Sequence, residues 1–316
     1  EQPWGEMQHV KNEYNELTVS LQQQDEAQTR MEIIFRLYDD GVGFRYHIPQ
    51  QKHIGEFRLM DERTEFVLPA DHKAWWIPAF DDMKYELLYK QSLVSEMDTA
   101  HTPVTLETAN GLYLSFHQAA LIDYAAMALA PAKSNALQCE LVPWADGTKV
   151  YGKGQLTTPW RTVQVAENPG GLITSKLILN LNEPNKLEDV SWVKPGKYIG
   201  IWWAMHINKY TWNPGQKHGA TTENTKRYID FANEYGFSGV LVEGWNYGWE
   251  KSWPNNGEVF HFTKPYPDFD IEEITDYAKE KGVGLIGHHE TGAATKNYEA
   301  QLDSALDFYN QYGVKA

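Results

Sequence analysis

From Glu13 to about Ile173, apolar and polar positions alternate in short runs, at 17–19, 31–37, 42–46, 57–59, 66–68 and 112–116, each bounded by turn formers. A period of two sends successive side chains to opposite faces, so each run predicts a strand. Asp39-Asp40-Gly41, between two such runs, is a hairpin signal. The runs follow one another without intervening helical patterns, which predicts an antiparallel β-sandwich over residues 1–193.

The pattern changes near Lys194-Pro195-Gly196, and residues 194–316 read as a second domain. Residues 198–203 are apolar on both faces and predict a buried strand. Tyr228, Phe231, Ala232 and Tyr235 then recur at helical spacing before Gly236. Residues 239–242 predict the next strand. Asp270 and Glu273 form a capping box for a helix with Ile271, Ile274 and Ala278 inward, ended by Gly282. Residues 284–287 predict a third strand, and Leu302, Ala305, Leu306 and Tyr309 share one stripe of a third helix ended by Gly313. Val314 then looks like the start of a fourth strand.

Strand–helix–strand repetition demands parallel pairing with right-handed crossovers. About 120 residues hold three complete βα units, whereas a closed (β/α)8 barrel needs eight and about 250 residues. The expected fold is therefore a β-sandwich followed by the first half of such a barrel, within a longer polypeptide.

Composition narrows the function. The net charge of −15 over 316 residues disfavours phosphate backbones and anionic lipid, so neither nucleic acid nor membrane insertion is expected. Cys139 is the sole cysteine, which excludes an internal disulfide and thiolate zinc clusters, and its apolar surroundings predict a packed thiol. Twelve Trp, eighteen Tyr and twelve Phe are either the core of a β-rich protein or platforms for sugar rings, whose C–H faces stack on aromatic groups.

In a barrel the reacting groups lie at the carboxyl ends of the strands. Those ends carry Trp202 to His206, Glu243 to Asn246, His288-His289-Glu290-Thr291, and Lys315. The two glutamates are either rim ion-pair partners or members of one polar cup. Along an extended chain His288 and Glu290 project to one side and His289 to the other. Adjacent His-His-Glu lacks zinc-protease spacing, and calcium would suit carboxylate-rich surroundings better. Paired carboxylates and abundant Trp favour glycoside cleavage over other hydrolyses.

Several segments resemble glycoside hydrolase family 97, and within it the calcium-dependent inverting α-glucosidases of starch degradation. They are 193–203 (VKPGKYIGIWW), 217–220 (KHGA), 226–231 (KRYIDF), 240–246 (VLVEGWN), 263–270 (TKPYPDFD) and 288–291 (HHET), with 40–46 (DGVGFRY), 74–78 (AWWIP) and 158–162 (TPWRT) in the front half. The resemblance implies an exo-acting α-glucosidase releasing glucose from α-1,4-linked oligosaccharides, with calcium as cofactor and a periplasmic or secreted address. Glu290 matches a base that activates water; Trp202, Glu243, His288, His289 and Lys315 match sugar-contacting positions or their neighbours. The general acid and further calcium ligands are expected beyond Ala316, and sandwich strands before Trp4. Gln118 stands where the family has a calcium-binding Glu, so it is either a weakened ligand or a plain hydrogen-bonding residue. Two other outcomes stay open: a retaining α-galactosidase of the same family, or a segment that binds sugar without cleaving it.

Overall fold

The computed structural model describes residues 2, 5–81, 86–250 and 253–314. It divides into two compact units, Glu1–Asp189 and Val190–Ala316, so the division falls shortly before the Lys194-Pro195-Gly196 turn.

In the first unit the large sheet runs, in spatial order, Asn15–Gln22, Arg30–Tyr38, Gly41–Ile48, Trp160–Ala166, Tyr113–Ala119, Val104–Glu107, Lys73–Trp76 and Lys90–Leu93, with Leu156–Thr157 beside the third of these. A second sheet orders Glu65–Val67, Ala136–Leu141, Met127–Ala132 and Ala100–His101. Every pairing in both sheets is antiparallel. The hairpin at Asp39–Asp40 forms as the sequence predicts, with Tyr38 opposite Gly41. Side chains from both sheets share one core, among them Leu106 and Phe116 from the first and Phe66, Leu129, Leu137 and Cys139 from the second. Burial and the nearby Glu62 charge push the Cys139 thiol up to about 12, which keeps it protonated. Two short helices, Pro169–Thr174 and Leu177–Leu181, close this unit and were not legible as periodic patterns. Leu177 and Leu181 instead pack singly against Trp160 and Ala119.

Across the middle of the sandwich lies an ion pair. Arg161 is wholly buried, and its Nε and Nη2 donate to the two oxygens of Glu62 at 2.8 and 2.6 Å. Tyr124 and Thr64 donate to the same carboxylate, and Arg161 Nη1 donates to Gln118 Oε1 at 2.9 Å. Burial alone would raise the Glu62 carboxyl, but the guanidinium and the two hydroxyls hold it below its ordinary value.

The second unit contains three parallel strands, Tyr198–Gly200, Gly239–Leu241 and Gly284–Ile286, with Ile199, Val240 and Leu285 in register. Their spatial order equals their chain order, so the sheet grows in one direction as in the opening units of a (β/α)8 barrel. The crossover helices are Thr222–Tyr235 and Ile271–Glu280, and Thr295–Tyr312 follows the third strand. Asp270 caps the second of these helices through Glu273 N at 3.0 Å, and Gly236 and Gly313 end the first and third in the left-handed region.

Three sequence expectations are corrected. The strand expected over 198–203 stops at Gly200, and Trp202–His206 is a helical turn. Its apolar run is buried only at Ile201, Ala204 and Met205, while Trp202 and Trp203 are 46% and 64% exposed. In the next helix Phe231 and Tyr235 face outward and stack on one another, while Thr225, Ile229 and Ala232 face the sheet. In the last helix Leu306 is exposed and the inward stripe is Ala305, Phe308, Tyr309 and Tyr312. The first crossover helix thus sets small and β-branched residues against the sheet while the last sets aromatic ones there, so period and apolarity alone do not determine which stripe is buried. No helix among the described residues is long and apolar enough to cross a membrane.

Candidate active site

The carboxyl ends of the first three parallel strands supply the site. After Leu241 the chain carries Val242 inward and then Glu243, whose side chain is 16% exposed. Gly244 follows with φ +83°, and a Cβ there would stand 2.8 Å from the Trp212 carbonyl oxygen, so only glycine fits this corner. Trp212 comes from the loop after the first strand, and its Nε1 donates to Glu243 Oε2 at 2.9 Å. The other oxygen, Oε1, stands 3.6 Å from His288 Nε2 at the end of the third strand. Three strand ends thus converge on one carboxylate.

Around it the rings are continuous. Trp212 lies parallel to Trp249 with centroids 6.3 Å apart, His206 meets Trp212 edge-on at 5.2 Å, and Trp202 lies 4.0 Å from His206. Trp249 approaches His288 at 6.3 Å, and Trp249 Nε1 donates to Asn246 Oδ1. His288 is held by its backbone: Tyr309 OH donates to its carbonyl and accepts from its N–H, both at 3.0 Å, and Trp245 Nε1 donates to the same carbonyl. Its Nδ1 is buried with no hydrogen-bond partner among the described residues.

The expected alternation along 288–290 holds for the two imidazoles. His289 turns away from Glu243, stacks on Tyr309 at 4.5 Å and pairs through Nδ1 with Tyr298 OH at 3.2 Å. Burial and the neighbouring His288 push it down to about 4, so it is neutral near pH 7. The structure therefore places His289 behind the site as a packing residue rather than beside a ligand. Glu290 is partly exposed, and its Oε1 accepts from Gly292 N at 2.7 Å, which fixes the carboxylate over its own turn. No hydrogen bond or ion pair joins Glu290 to Glu243 among the described residues. Lys315 lies outside them.

Sequence reasoning reached His206 as part of a strand end but missed Trp212 and Trp249. A Trp flanked by turn formers, as in Thr211-Trp212-Asn213-Pro214-Gly215, was the available signal, since a loop rarely carries so large an apolar ring without a use for it.

A carboxylate with one oxygen turned to an imidazole, ringed by indoles, is suited to hydroxyl-rich ligands with apolar faces. Against this geometry, a family profile described as "Glycosyl-hydrolase 97 N-terminal" matches residues 1–184 and one described as "Glycoside hydrolase 97" matches residues 202–316. The chain belongs to glycoside hydrolase family 97. A family 97 enzyme from Pseudoalteromonas sp. strain K8, solved as a variant, is 50% identical with a TM-score of 0.95. The same organism's enzyme in complex with acarbose is 48% identical with a TM-score of 0.94, and each match covers 99% of this chain and 48% of that one. A retaining α-galactosidase of Bacteroides thetaiotaomicron is 24% identical over 99% of this chain and 48% of its own. This chain thus spans about half the length of these relatives.

Calcium was expected with Gln118 as one ligand, and Gln118 does not fit that part. Its Oε1 accepts from the Arg161 guanidinium at 2.9 Å and from Met127 N at 3.1 Å, so the oxygen is engaged and a cation already stands beside it. Among the described residues no group of three or more His, Cys, Asp or Glu side chains is arranged to hold a metal ion.

Proposed function

We propose that the protein containing this chain is an exo-acting α-glucosidase that hydrolyses α-1,4-linked gluco-oligosaccharides with inversion. The observation that carries the sugar-binding part is the convergence of Trp212 and His288 on Glu243 at the strand ends. Acarbose and panose in the similar Pseudoalteromonas structures, both matching at 48% identity, favour glucose-containing substrates. In this proposal Glu243 accepts hydrogen bonds from sugar hydroxyls beside His288 Nε2, and Trp202 offers an exposed ring. Glu290 takes the proton from the attacking water, its carboxylate kept in position by the Gly292 amide. The acid that protonates the leaving oxygen comes from elsewhere in the polypeptide, and no step is routed through calcium.

The second proposal is a retaining α-galactosidase, favoured by the names of the curated relatives at 24% and 25% identity. Proton NMR of the first-formed anomer from aryl α-glucoside and aryl α-galactoside separates the two. For the first, Glu290→Gln in the full-length protein is expected to lower turnover by about 10²–10⁴-fold, the usual worth of a positioned general base, with acarbose affinity nearly unchanged. Turnover close to that of the unaltered enzyme would remove Glu290 from the role of base.

A further inference from the structure

His218 lies outside the ring of groups just described, in a segment that the sequence singled out without a role. Its side chain is 1% exposed. Nδ1 stands 2.7 Å from Asp268 Oδ2 and Nε2 stands 3.0 Å from the carbonyl oxygen of Gly244, the residue immediately after Glu243. The edge of the ring meets Tyr266 at 5.4 Å and 90°. Asp268 is itself tied down, since its carbonyl accepts from Thr222 N at 2.8 Å and Thr222 Oγ1 at 3.1 Å, at the start of a crossover helix.

Both ring nitrogens therefore face oxygen acceptors. The Gly244 carbonyl can only accept, so Nε2 donates to it, while the Asp268 carboxylate faces Nδ1 on the other side of the ring. The direction of the bond to Gly244 is set by the Asp268 pairing behind the ring. That bond acts on a corner with no side chain to stiffen it, Gly244 at φ +83°. The same corner is bounded on its other side by the backbone of Trp212, whose indole holds Glu243 Oε2.

We propose that His218, paired with Asp268, is a positioning residue for the sugar-binding carboxylate: by fixing the Gly244 carbonyl it sets the Glu243–Gly244 corner and hence where Glu243 meets the ligand. This rests on the proposal that Glu243 binds sugar. Without the clamp the corner relaxes, and Glu243 samples orientations that no longer match a hydroxyl, which weakens substrate binding more than it slows the bond-breaking step.

The test is a mutant cycle in the full-length enzyme, with acarbose affinity from calorimetry and KM and kcat from hydrolysis. His218→Ala is expected to weaken acarbose binding about tenfold and raise KM more than it lowers kcat. His218→Gln, which retains a donor toward Gly244, is expected to recover most of the loss. In a Glu243→Ala background the further effect of His218→Ala should fall to about twofold or less, because residues acting through one another are non-additive. Asp268→Asn carries the same comparison should His218→Ala fail to fold. An unchanged affinity in His218→Ala, or a loss equally large with and without Glu243, overturns the proposal while leaving the role of Glu243 intact. Unaltered acarbose affinity in Glu243→Ala alone is the distinct result that removes Glu243 from the sugar site, and with it this inference.

Discussion

Two carboxylates, one in each unit, show how differently a buried charge can be used. Glu62 in the sandwich accepts from Arg161 twice, from Tyr124 and from Thr64, so its bonding capacity is filled within the protein. Glu243 has one bond, from Trp212, and an imidazole at 3.6 Å whose second nitrogen has no partner among the described residues. The first arrangement is complete before any ligand arrives. The second is not, and incompleteness rather than charge is what marks the candidate site. Both were costly to bury, but only one leaves something for a ligand to do.

That contrast can be broken at four points. The largest effect belongs to the sandwich: Arg161→Met strands the Glu62 charge and should cost about 3–5 kcal/mol of stability. Denaturant unfolding of the full-length protein checks it, and a loss below about 1 kcal/mol would mean that water reaches Glu62. Second, Glu243→Gln keeps the shape but removes the charge. It should leave stability within about 1 kcal/mol while weakening acarbose binding about tenfold or more, since hydrogen bonds to charged groups are worth about 1.5–3 kcal/mol. Equal damage to stability and binding would erase the distinction between the two carboxylates.

Third comes pH. The folded protein keeps His289 neutral down to about 4, whereas an unperturbed histidine takes a proton near 6.5. Between those values the unfolded chain binds more protons, so this contribution to stability is whole above pH 6.5 and falls as pH drops toward 4. Burial lowers His117 in the sandwich as well, which steepens the same slope. Melting temperatures of wild type and His289→Phe should converge as pH falls through this window, and parallel curves would refute the assignment. The smallest effect is that expected of calcium at Gln118. Gln118→Ala should cost about 1–3 kcal/mol, because it leaves Arg161 Nη1 and Met127 N without this acceptor, and its response to a calcium chelator should match that of the unaltered protein. A chelator effect abolished by the substitution would return Gln118 to the metal.

Much of this was legible in the sequence. The two-residue hairpin, the Asp270 cap, the αL glycines at 236 and 313 and the positions of Glu243 and His288 at strand ends all follow from local rules that need only a few residues at a time. The motif-bearing resemblance to family 97 brought Glu290 and Trp202 with it. What could not be read were contacts across long separations: Arg161 with Glu62, 99 residues apart, and His218 with Asp268, 50 apart. Such pairs leave no period in the sequence, because their spacing is set by the paths of the intervening loops. The helical stripes failed for a different reason. Tyr235 and Leu306 satisfy the same period as their inward neighbours, and which stripe turns inward depends on how each helix packs, which the period alone does not fix.

The two adjacent imidazoles make the third strand intolerant of sliding. One of them looks toward the glutamate and the other is clasped by Tyr309, so moving the chain along by a single position would exchange their duties, seating the proton-shy ring where a ligand is met and pressing the other into the aromatic wall. Tyr309, which grips the strand by the backbone of one histidine and the face of the next, acts as a detent against that error. Engineering of the candidate site is therefore better directed at the loop that carries Trp212 than at the strand itself.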